Sequence, residues 1–341
     1  LTRAVLHLGV SRTTVSSKMR NDARLVLLDK HQVETLLEPG QVVEAVREAF
    51  ALHSQGKGRV FSVVRESLAT GAVFGIKSGD VQSQDLLGFK AAGFWPGNRS
   101  LGGEPHQATI MLINPITGRP VCLIDGNAIT TMRTGAAGGL GLTLLARADS
   151  TRLCVFGTGV QARVQVSFAM RVLERLASIR YVTVDGQRDA AFEAQFIGRC
   201  EVSHASDRDV AVAESDVVIT ATPGSGPLFD AQAVRPGTHF NCVGADTKGK
   251  RELPEGLLKR ARLFVDDRIQ ARQIGETQWA PDTACIEIGD LITGVTEANR
   301  QPDDVTVFDM TGIALQDLTV ARLVHARAGE TGTGTSLGWP W

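Results

Sequence analysis

Cysteine is sparse: five residues, at 122, 154, 200, 242 and 285, and no two in CxxC spacing. That excludes a zinc ribbon and a redox dithiol motif. The odd, unpatterned count fits a reducing cytoplasm. Cys122, Cys154 and Cys242 lie in apolar runs, where a thiol is most simply a small buried hydrophobe. No apolar run approaches the roughly 20 residues that cross a bilayer, so no membrane partner is expected. Net charge is almost absent, with 36 Lys and Arg against 37 Asp and Glu. That argues against a broad nucleic-acid surface. The seven His show neither HxH nor HxxxH spacing, so no metal site is indicated. Aromatics make up only 5%, whereas Gly is frequent at 36 residues, which suits an α/β enzyme with many tight strand-to-helix turns. What remains is an ordinary globular composition, 43% apolar and 21% charged, in a 341-residue chain long enough for two domains.

The first 24 residues hold Arg, Ser and Met19 but no apolar core. They are expected to be a disordered extension outside the fold and not a secretory signal. Beyond them, 24–28 reads as a strand and 42–52 as a helix, with Val42, Val46, Ala49 and Phe50 on one face. Strand-like runs follow at 59–68, 72–76, 87–92, 108–114 and 120–125, with a hairpin turn at 114–118. Strands in succession after a helix suggest an α+β unit. The character changes near residue 128. A helix rich in Ala, Gly and Leu is expected over 129–145, capped by Thr130 or Thr131. Short apolar strands at 152–156, 181–185, 217–220, 239–243 and 263–265 then alternate with helices, as in a parallel sheet covered on both faces. A last helix is expected at 317–328, and 330–341 as a flexible tail.

Gly157-Thr158-Gly159-Val160-Gln161-Ala162 has the form GxGxxA, follows a strand and opens a helix. The first Gly makes the tight turn, the second admits a pyrophosphate, and Ala162 lets helix and strand pack closely. The helix N-terminus then offers unpaired N–H groups and the positive end of its dipole. Asp185, at the end of the next expected strand, stands where a carboxylate meets the adenosine ribose. The pattern points to a Rossmann dinucleotide-binding domain, the alternative being a structural glycine turn in an unrelated α/β fold. Asp185 favours NAD(H); Arg188 nearby could receive a 2′-phosphate and so admits NADP(H). Thr220, Ala221 and Thr222 end a strand whose C-terminus should line the same crevice.

The run 130–137 with 157–163 resembles the ornithine cyclodeaminase/mu-crystallin family. Further matches are His106-Gln107-Ala108-Thr109, Asp125-Gly126-Asn127, Val243-Gly244-Ala245-Asp246 and Phe308-Asp309-Met310-Thr311-Gly312. The resemblance covers 25–329. It implies an NAD(P)-dependent, commonly dimeric protein that handles α-amino acids or their imines. It divides the chain into 25–128 with 314–329, which bind substrate and dimerise, and 129–313, which bind the dinucleotide. Arg65, Lys90 and Arg133 match the basic residues that hold the substrate carboxylate, a role suited to fixed cations. Asp246 matches the acid at the substrate α-carbon, and Lys90 a second proton-relay candidate. To donate a proton at neutral pH, Asp246 needs a pKa raised by burial. Thr134, Val243 and Thr311 fall beside the cofactor, and Gly312 beside the substrate. Each cation could instead be a solvated surface residue, Asp246 a cap of the 249–252 turn, and His106 a structural group.

The reaction stays open at this level between three readings. A reductase moves hydride from the reduced nicotinamide to the imine carbon of an α-imino carboxylate such as a cyclic ketimine. A cyclodeaminase turns ornithine into proline and ammonia with cofactor regenerated in each cycle. A mu-crystallin-like binding protein keeps the fold without turnover. True ornithine cyclodeaminases carry a Glu for the distal ammonium where this chain has Gly75-Ile76-Lys77-Ser78. A Gly there binds no ammonium and Lys77 repels one. The ketimine reductase side of the family, or an amino-acid dehydrogenase, is therefore favoured. Lys77 reads either as a surface lysine or as a contact for a further acidic group of the substrate.

Overall fold

The computed structural model describes residues 23–339, so the expected extension lies, but for its last two residues, outside the described residues. The chain begins with β1 (Arg24–Leu28), α1 (Lys30–Leu36) and α2 (Pro39–Ser54). It then runs through β2 (Arg59–Val60), β3 (Val64–Ser67), β4 (Val73–Val81), β5 (Leu86–Phe94), β6 (His106–Ile113) and β7 (Pro120–Asp125) into α3 (Gly126–Leu145). The second half comprises β8 (Arg152–Phe156), α4 (Val160–Val172), β9 (Ser178–Val182), α5 (Ala190–Phe196), β10 (Glu201–His204), α6 (Arg208–Ala213), β11 (Val217–Thr220) and β12 (His239–Cys242). It continues with α7 (Leu257–Arg260), β13 (Arg262–Val265), α8 (Arg268–Ile274), β14 (Cys285–Glu287), α9 (Ile288–Ile292) and β15 (Thr306–Asp309), before α10 (Ala314–Thr331) and β16 (Thr335–Gly338) return to the first half.

Two sheets result. The first has the order β16-β1-β7-β6-β5-β4-β2, with β3 also on β4; the second is parallel, β10-β9-β8-β11-β12-β15-β13-β14. This is the expected α/β architecture of a Rossmann-type sheet joined to an α+β unit. Buried strands such as Val217–Thr220 are apolar throughout because helices cover both faces. In the first sheet, cross-strand register sets which residues share a face. Lys77, Lys90, Ile110 and Ile124 lie in one row, on the side where α10 packs, and Ser78, Phe89, Met111 and Leu123 in the next row face the other way. Phe50 of α2 and Leu318 and Val324 of α10 close the core over that inner side.

α3 lies between the two halves, buried nearly all round. Its glycines are packing residues: a Cβ on Gly135 would stand 2.6 Å from Val164 Cγ2 of α4, and one on Gly138 would collide with the Gln165 side chain. The helix starts earlier than expected. Asp125, not Thr130 or Thr131, is the cap, its Oδ1 accepting the Asn127 N–H at 3.0 Å.

Other expectations need correction. The strand expected over 59–68 breaks into two short pieces, and that expected over 181–185 lies at Ser178–Val182. α1 escaped notice because it has seven residues, although Asp29 and Gln32 form a capping box at its start. The tail 330–341 is not loose throughout, since Thr335–Gly338 runs antiparallel to β1 and satisfies the edge that β1 would otherwise expose. No helix among the described residues is long and apolar enough to cross a membrane.

Candidate active site

Strand register brings three cations together. Arg65 of β3 faces Gly75 of β4, and Lys77, two residues on and so on the same side, faces Lys90 of β5. Arg133 reaches the same place from α3, and Asp317 from the first turns of α10. Asp317 Oδ1 accepts from Lys90 Nζ at 2.8 Å and from Arg133 Nε at 3.1 Å, and all three side chains are at least nine-tenths buried. Burial pushes the Asp317 carboxyl up, but Lys90 and Arg133 together outweigh it and hold it below the ordinary range. Burial, against the pull of Asp317 and with the push of Arg133 and Lys77, brings the Lys90 ammonium down to about 7. Lys77 is likewise buried and donates to the Thr311 and Gly312 carbonyls, each at 2.7 Å. Burial, then Arg133 and Arg65, take it down to about 8.

The Thr311-Gly312 segment is held from several sides. Thr311 Oγ1 donates to Asp266 Oδ1 at 2.7 Å, the Gly312 N–H donates to the other Asp266 oxygen, and Gln270 Nε2 donates to the Gly312 carbonyl at 2.9 Å. Gly312 has φ +76°, and the Arg133 guanidinium fills the space where a Cβ would sit. Only Gly suits both conditions.

Asp246 projects from the loop after β12 and ties the two halves together. Arg65 NH2 donates to its Oδ2 at 3.1 Å, and Lys250 Nζ to its Oδ1 at 2.8 Å. The expected rise in its pKa is not what the structure shows. Burial pushes the carboxyl up, but Lys250 and Arg65 hold it far below the usual carboxylate range. The two counter-cations, one four residues along the chain and one across the cleft, are the reason. Asp246 does not cap the 249–252 turn.

Beside Asp246 opens a cavity of about 730 Å³. His106, Asn127, Thr131 and Met132 line one side; Gly159, Val160, Gln161, Ala221, Thr222, Val243, Gly244 and Lys250 line the other. The glycine turn is built as its pattern implies. Gly157 has φ +96°, and a Cβ there would approach the Ala221 carbonyl to 2.8 Å. α4 begins at Val160 with Gly159 as an N-cap that supplies no side-chain acceptor, and Gly159 faces open space. The buried Gln161 Oε1 has no partner among the described residues. An uncapped helix N-terminus, an open approach at Gly159 and an orphaned amide oxygen fit a dinucleotide diphosphate. Ala162 is fully buried against the sheet.

Several candidate residues stand away from this wall. Thr134 is buried inside α3 and donates its hydroxyl to the Thr130 carbonyl at 2.6 Å. Thr220 is fully buried at the end of β11. Thr158 lies at the turn, its carbonyl accepting from Arg163 Nε at 2.9 Å. Asp185 is exposed three residues past the end of β9, where its Oδ1 accepts the Gln187 N–H. Arg188 is engaged by Glu193 at 2.7 and 3.1 Å. His106 rests on Asn127. The Asn127 amide nitrogen donates to Glu104 and to the His106 carbonyl, so its oxygen accepts from His106 Nδ1, at 3.2 Å. Burial, then Lys90, take the imidazole down to about 4, so it is neutral at physiological pH. Gln107 is exposed and donates to the Glu104 carbonyl.

Four site residues escaped the sequence reading: Lys250, Glu252, Asp266 and Asp317. Glu252 accepts from the Thr222 N–H and hydroxyl, both at 2.8 Å, and from the Gly244 N–H at 2.9 Å. It thus fastens the two loops that carry Thr222 and Gly244 to the cavity wall. Only Lys250 had a local signal, four residues from Asp246. Among the described residues no group of three or more His, Cys, Asp or Glu side chains is placed to hold a metal ion.

Comparison with known proteins adds to this geometry. A family model described as "Ornithine cyclodeaminase/mu-crystallin family" matches residues 24–332. Iminosuccinate reductase of Paracoccus denitrificans is 33% identical over 331 residues, covering 92% of this chain and 99% of that protein. An archaeal alanine dehydrogenase dimer with bound NAD superposes with a TM-score of 0.86 at 30% identity, over 92% of this chain and 99% of the other. Thermococcus litoralis Δ1-pyrroline-2-carboxylate reductase, in complex with NADH and L-proline, gives 0.85 at 27% identity, over 91% and 99%.

Proposed function

The chain belongs to the ornithine cyclodeaminase/mu-crystallin family, and we propose that it is an NAD(H)-dependent oxidoreductase acting on the C=N or C–N bond of a small α-imino or α-amino carboxylate. The observation that carries this reading is the buried cluster Arg65, Lys77, Lys90 and Arg133 around Asp246, which itself lines the cavity walled by the Gly159–Gln161 turn. Lys90 and Arg133, with Arg65, hold the substrate carboxylate. Gly157 to Gln161, Ala221, Thr222 and Val243 hold the dinucleotide. Thr134, Thr220 and Thr311 act on it through the backbone they support, and Gly312 lets the substrate approach. Asp185 takes the adenosine ribose. NAD(H) is favoured over NADP(H) because Glu193 already occupies the Arg188 guanidinium.

When bound, the cofactor supplies or accepts hydride at the α-carbon. The chain manages the rest. Asp246, held as an anion by Lys250 and Arg65, accepts a hydrogen bond from the imine or amine N–H. Lys90, at about 7, holds a proton that is available near neutrality. A substrate carboxylate that draws Arg65 away relieves Asp246 of one cation and lets its carboxyl rise. Cyclic ketimines and pyrroline-2-carboxylate form one substrate group, on the mu-crystallin side of the family; open-chain imines of 2-oxo acids form the other. The relatives named above do not single out that branch. Gly75 stands where the ammonium-binding Glu is expected, and the buried Lys77 two residues on repels an ammonium, which disfavours ornithine. We assign 25–128 with 314–329 to substrate binding and dimerisation and 129–313 to the cofactor. The half-buried row Phe89, Met111 and Leu123 is the face for a second copy, as suits a family with a dimeric alanine dehydrogenase.

The deciding assay is NADH oxidation with cyclic imines and with 2-oxo acids plus ammonium. No turnover with any substrate, despite tight NADH binding, leaves a binding protein; proline release from ornithine with catalytic NAD restores the cyclodeaminase. Two further outcomes are expected. The KM for the carboxylate substrate should rise as pH passes from 7 to 9, because Lys90 and Lys77 grip an anion only while protonated and lose that proton in this range. A flat KM over that range contradicts their role. Glu252→Gln should raise the NADH Kd by about tenfold, since charge-assisted hydrogen bonds to two cofactor loops are weakened. Quenching of NADH fluorescence checks this, and an unchanged Kd removes Glu252 from cofactor positioning.

A further inference from the structure

His106 lines the cavity with one ring nitrogen tied and the other bare. It opens β6, and alternation puts His106, Ala108 and Ile110 on one face of the sheet. Ile110 pairs with Lys90, so the imidazole leaves the sheet on the side of the cations. A chain of hydrogen bonds sets its tautomer. Lys30 Nζ donates to Glu104 at 2.6 Å, and Glu104 accepts from the Asn127 amide nitrogen at 2.9 Å. The Asn127 oxygen is thereby turned towards the Nδ1 proton of His106. With that proton fixed and the ring neutral, Nε2 carries only a lone pair. Among the described residues Nε2 has no hydrogen-bond partner, nor is it sealed from solvent.

Asp246 alone cannot satisfy a reacting nitrogen that brings two N–H groups, as an iminium made from ammonia does. Each carboxylate oxygen offers about two lone-pair sites. Lys250 Nζ and the Thr247 hydroxyl fill Oδ1, at 2.8 and 3.1 Å, which leaves Oδ2. The two N–H bonds of an iminium diverge, so one oxygen meets only one of them. The second needs another acceptor. Asn127 and Glu104 are already engaged, whereas Nε2 is bare. Lys90, Arg133 and Asp246 all act on the imidazole's charge, which sets the ring at the reacting end of the cavity. We propose that His106 is a substrate-binding residue whose Nε2 accepts one N–H of the reacting nitrogen while Asp246 accepts the other; this rests on the imine-reductase reading above. In the forward reaction a 2-oxo acid and ammonia lose water, and the imine nitrogen takes a proton. Hydride from NADH adds to the imine carbon and the C=N electron pair moves to nitrogen, giving the amino acid and NAD⁺. His106 gives and takes no proton; it orients the nitrogen.

The test uses the purified full chain with NADH. Pyruvate, 2-oxobutyrate, oxaloacetate and 2-oxoglutarate are each supplied with ammonium, whose iminium has two N–H groups. The same acids with methylamine, and Δ1-pyrroline-2-carboxylate, give iminium ions with one. His106→Leu should lower kcat/KM with ammonium by about tenfold or more, the loss of one charge-assisted hydrogen bond. With the single-N–H substrates the loss should stay within about threefold. His106→Gln, which sets an amide oxygen close to the place of Nε2, should recover most of the ammonium activity. An imidazole that only braced Asn127 would lower all substrates together. Should His106→Leu fail to fold, or no single-N–H substrate be turned over, nitrogen NMR of the wild-type imidazoles decides. A bare Nε2 resonance must then move when the product amino acid joins the NADH complex. Equal losses with both kinds of nitrogen, normal turnover in His106→Leu, or an unmoved resonance overturns the proposal while imine reduction stands. So does reduction of the cyclic imine with no turnover of any 2-oxo acid and ammonium. No NADH oxidation with any imine removes both.

Discussion

Asp246→Asn is expected to cut turnover by about 100-fold or more while the NADH Kd stays within about threefold. The amide keeps the size of the carboxylate but neither its charge nor its ability to take a proton. Asp246 joins Arg65 of one half to Lys250 of the other, so the substitution also leaves two cations unopposed. It is not part of the glycine turn proposed for the dinucleotide, which is why cofactor affinity should hold. Steady-state kinetics with a turned-over imine, beside a fluorescence titration of NADH, separates the two effects. Normal turnover in the variant would remove Asp246 from proton handling. The pH profiles carry a further sign. In the free enzyme the Asp246 carboxyl lies far below the usual range, so kcat/KM should show no loss from its protonation between pH 5 and 7.

Arg133→Ala is expected to raise the KM for the carboxylate substrate by about 100-fold, because a desolvated two-pronged donor is lost. A cost in stability comes with it. Removing one partner of a buried ion pair costs about 3–5 kcal/mol when the other charge is left alone. Here Lys90 still holds Asp317, so the loss should fall at or below the low end and the protein should still fold. A void would open over Gly312, where the guanidinium now packs. A calorimetric scan gives the stability change and a substrate titration the KM. An unaltered KM would contradict the carboxylate role, whatever the melting temperature did.

How much of this could be read in advance depends on distance along the chain. The Gly157–Ala162 turn was legible because the φ of +96° at Gly157, the helix start at Val160 and the buried Ala162 are decided by neighbours a few residues away. The same holds for the apolar strands of the second sheet. The start of α3 was misplaced by three residues, since Asp125 ends a strand and caps a helix at once. β16 was missed because its partner β1 lies at the other end of the chain and its own four residues are exposed. Asp185, expected at a strand end, lies three residues past it, because the strand ends at Val182.

By itself the amino-acid order determined the two-sheet α/β plan, the dinucleotide turn and the residue types that could meet an anionic substrate. Those follow from local backbone preference and from periodicity, which act over a handful of residues. Tertiary structure alone decided that Lys77 is buried and, among the described residues, in no ion pair, that Glu252 braces two loops, and that Asp246 is a held anion instead of a ready acid. Charge and solvation answer to neighbours in space, and the Arg65 that helps to set Asp246 stands 181 residues away in the chain.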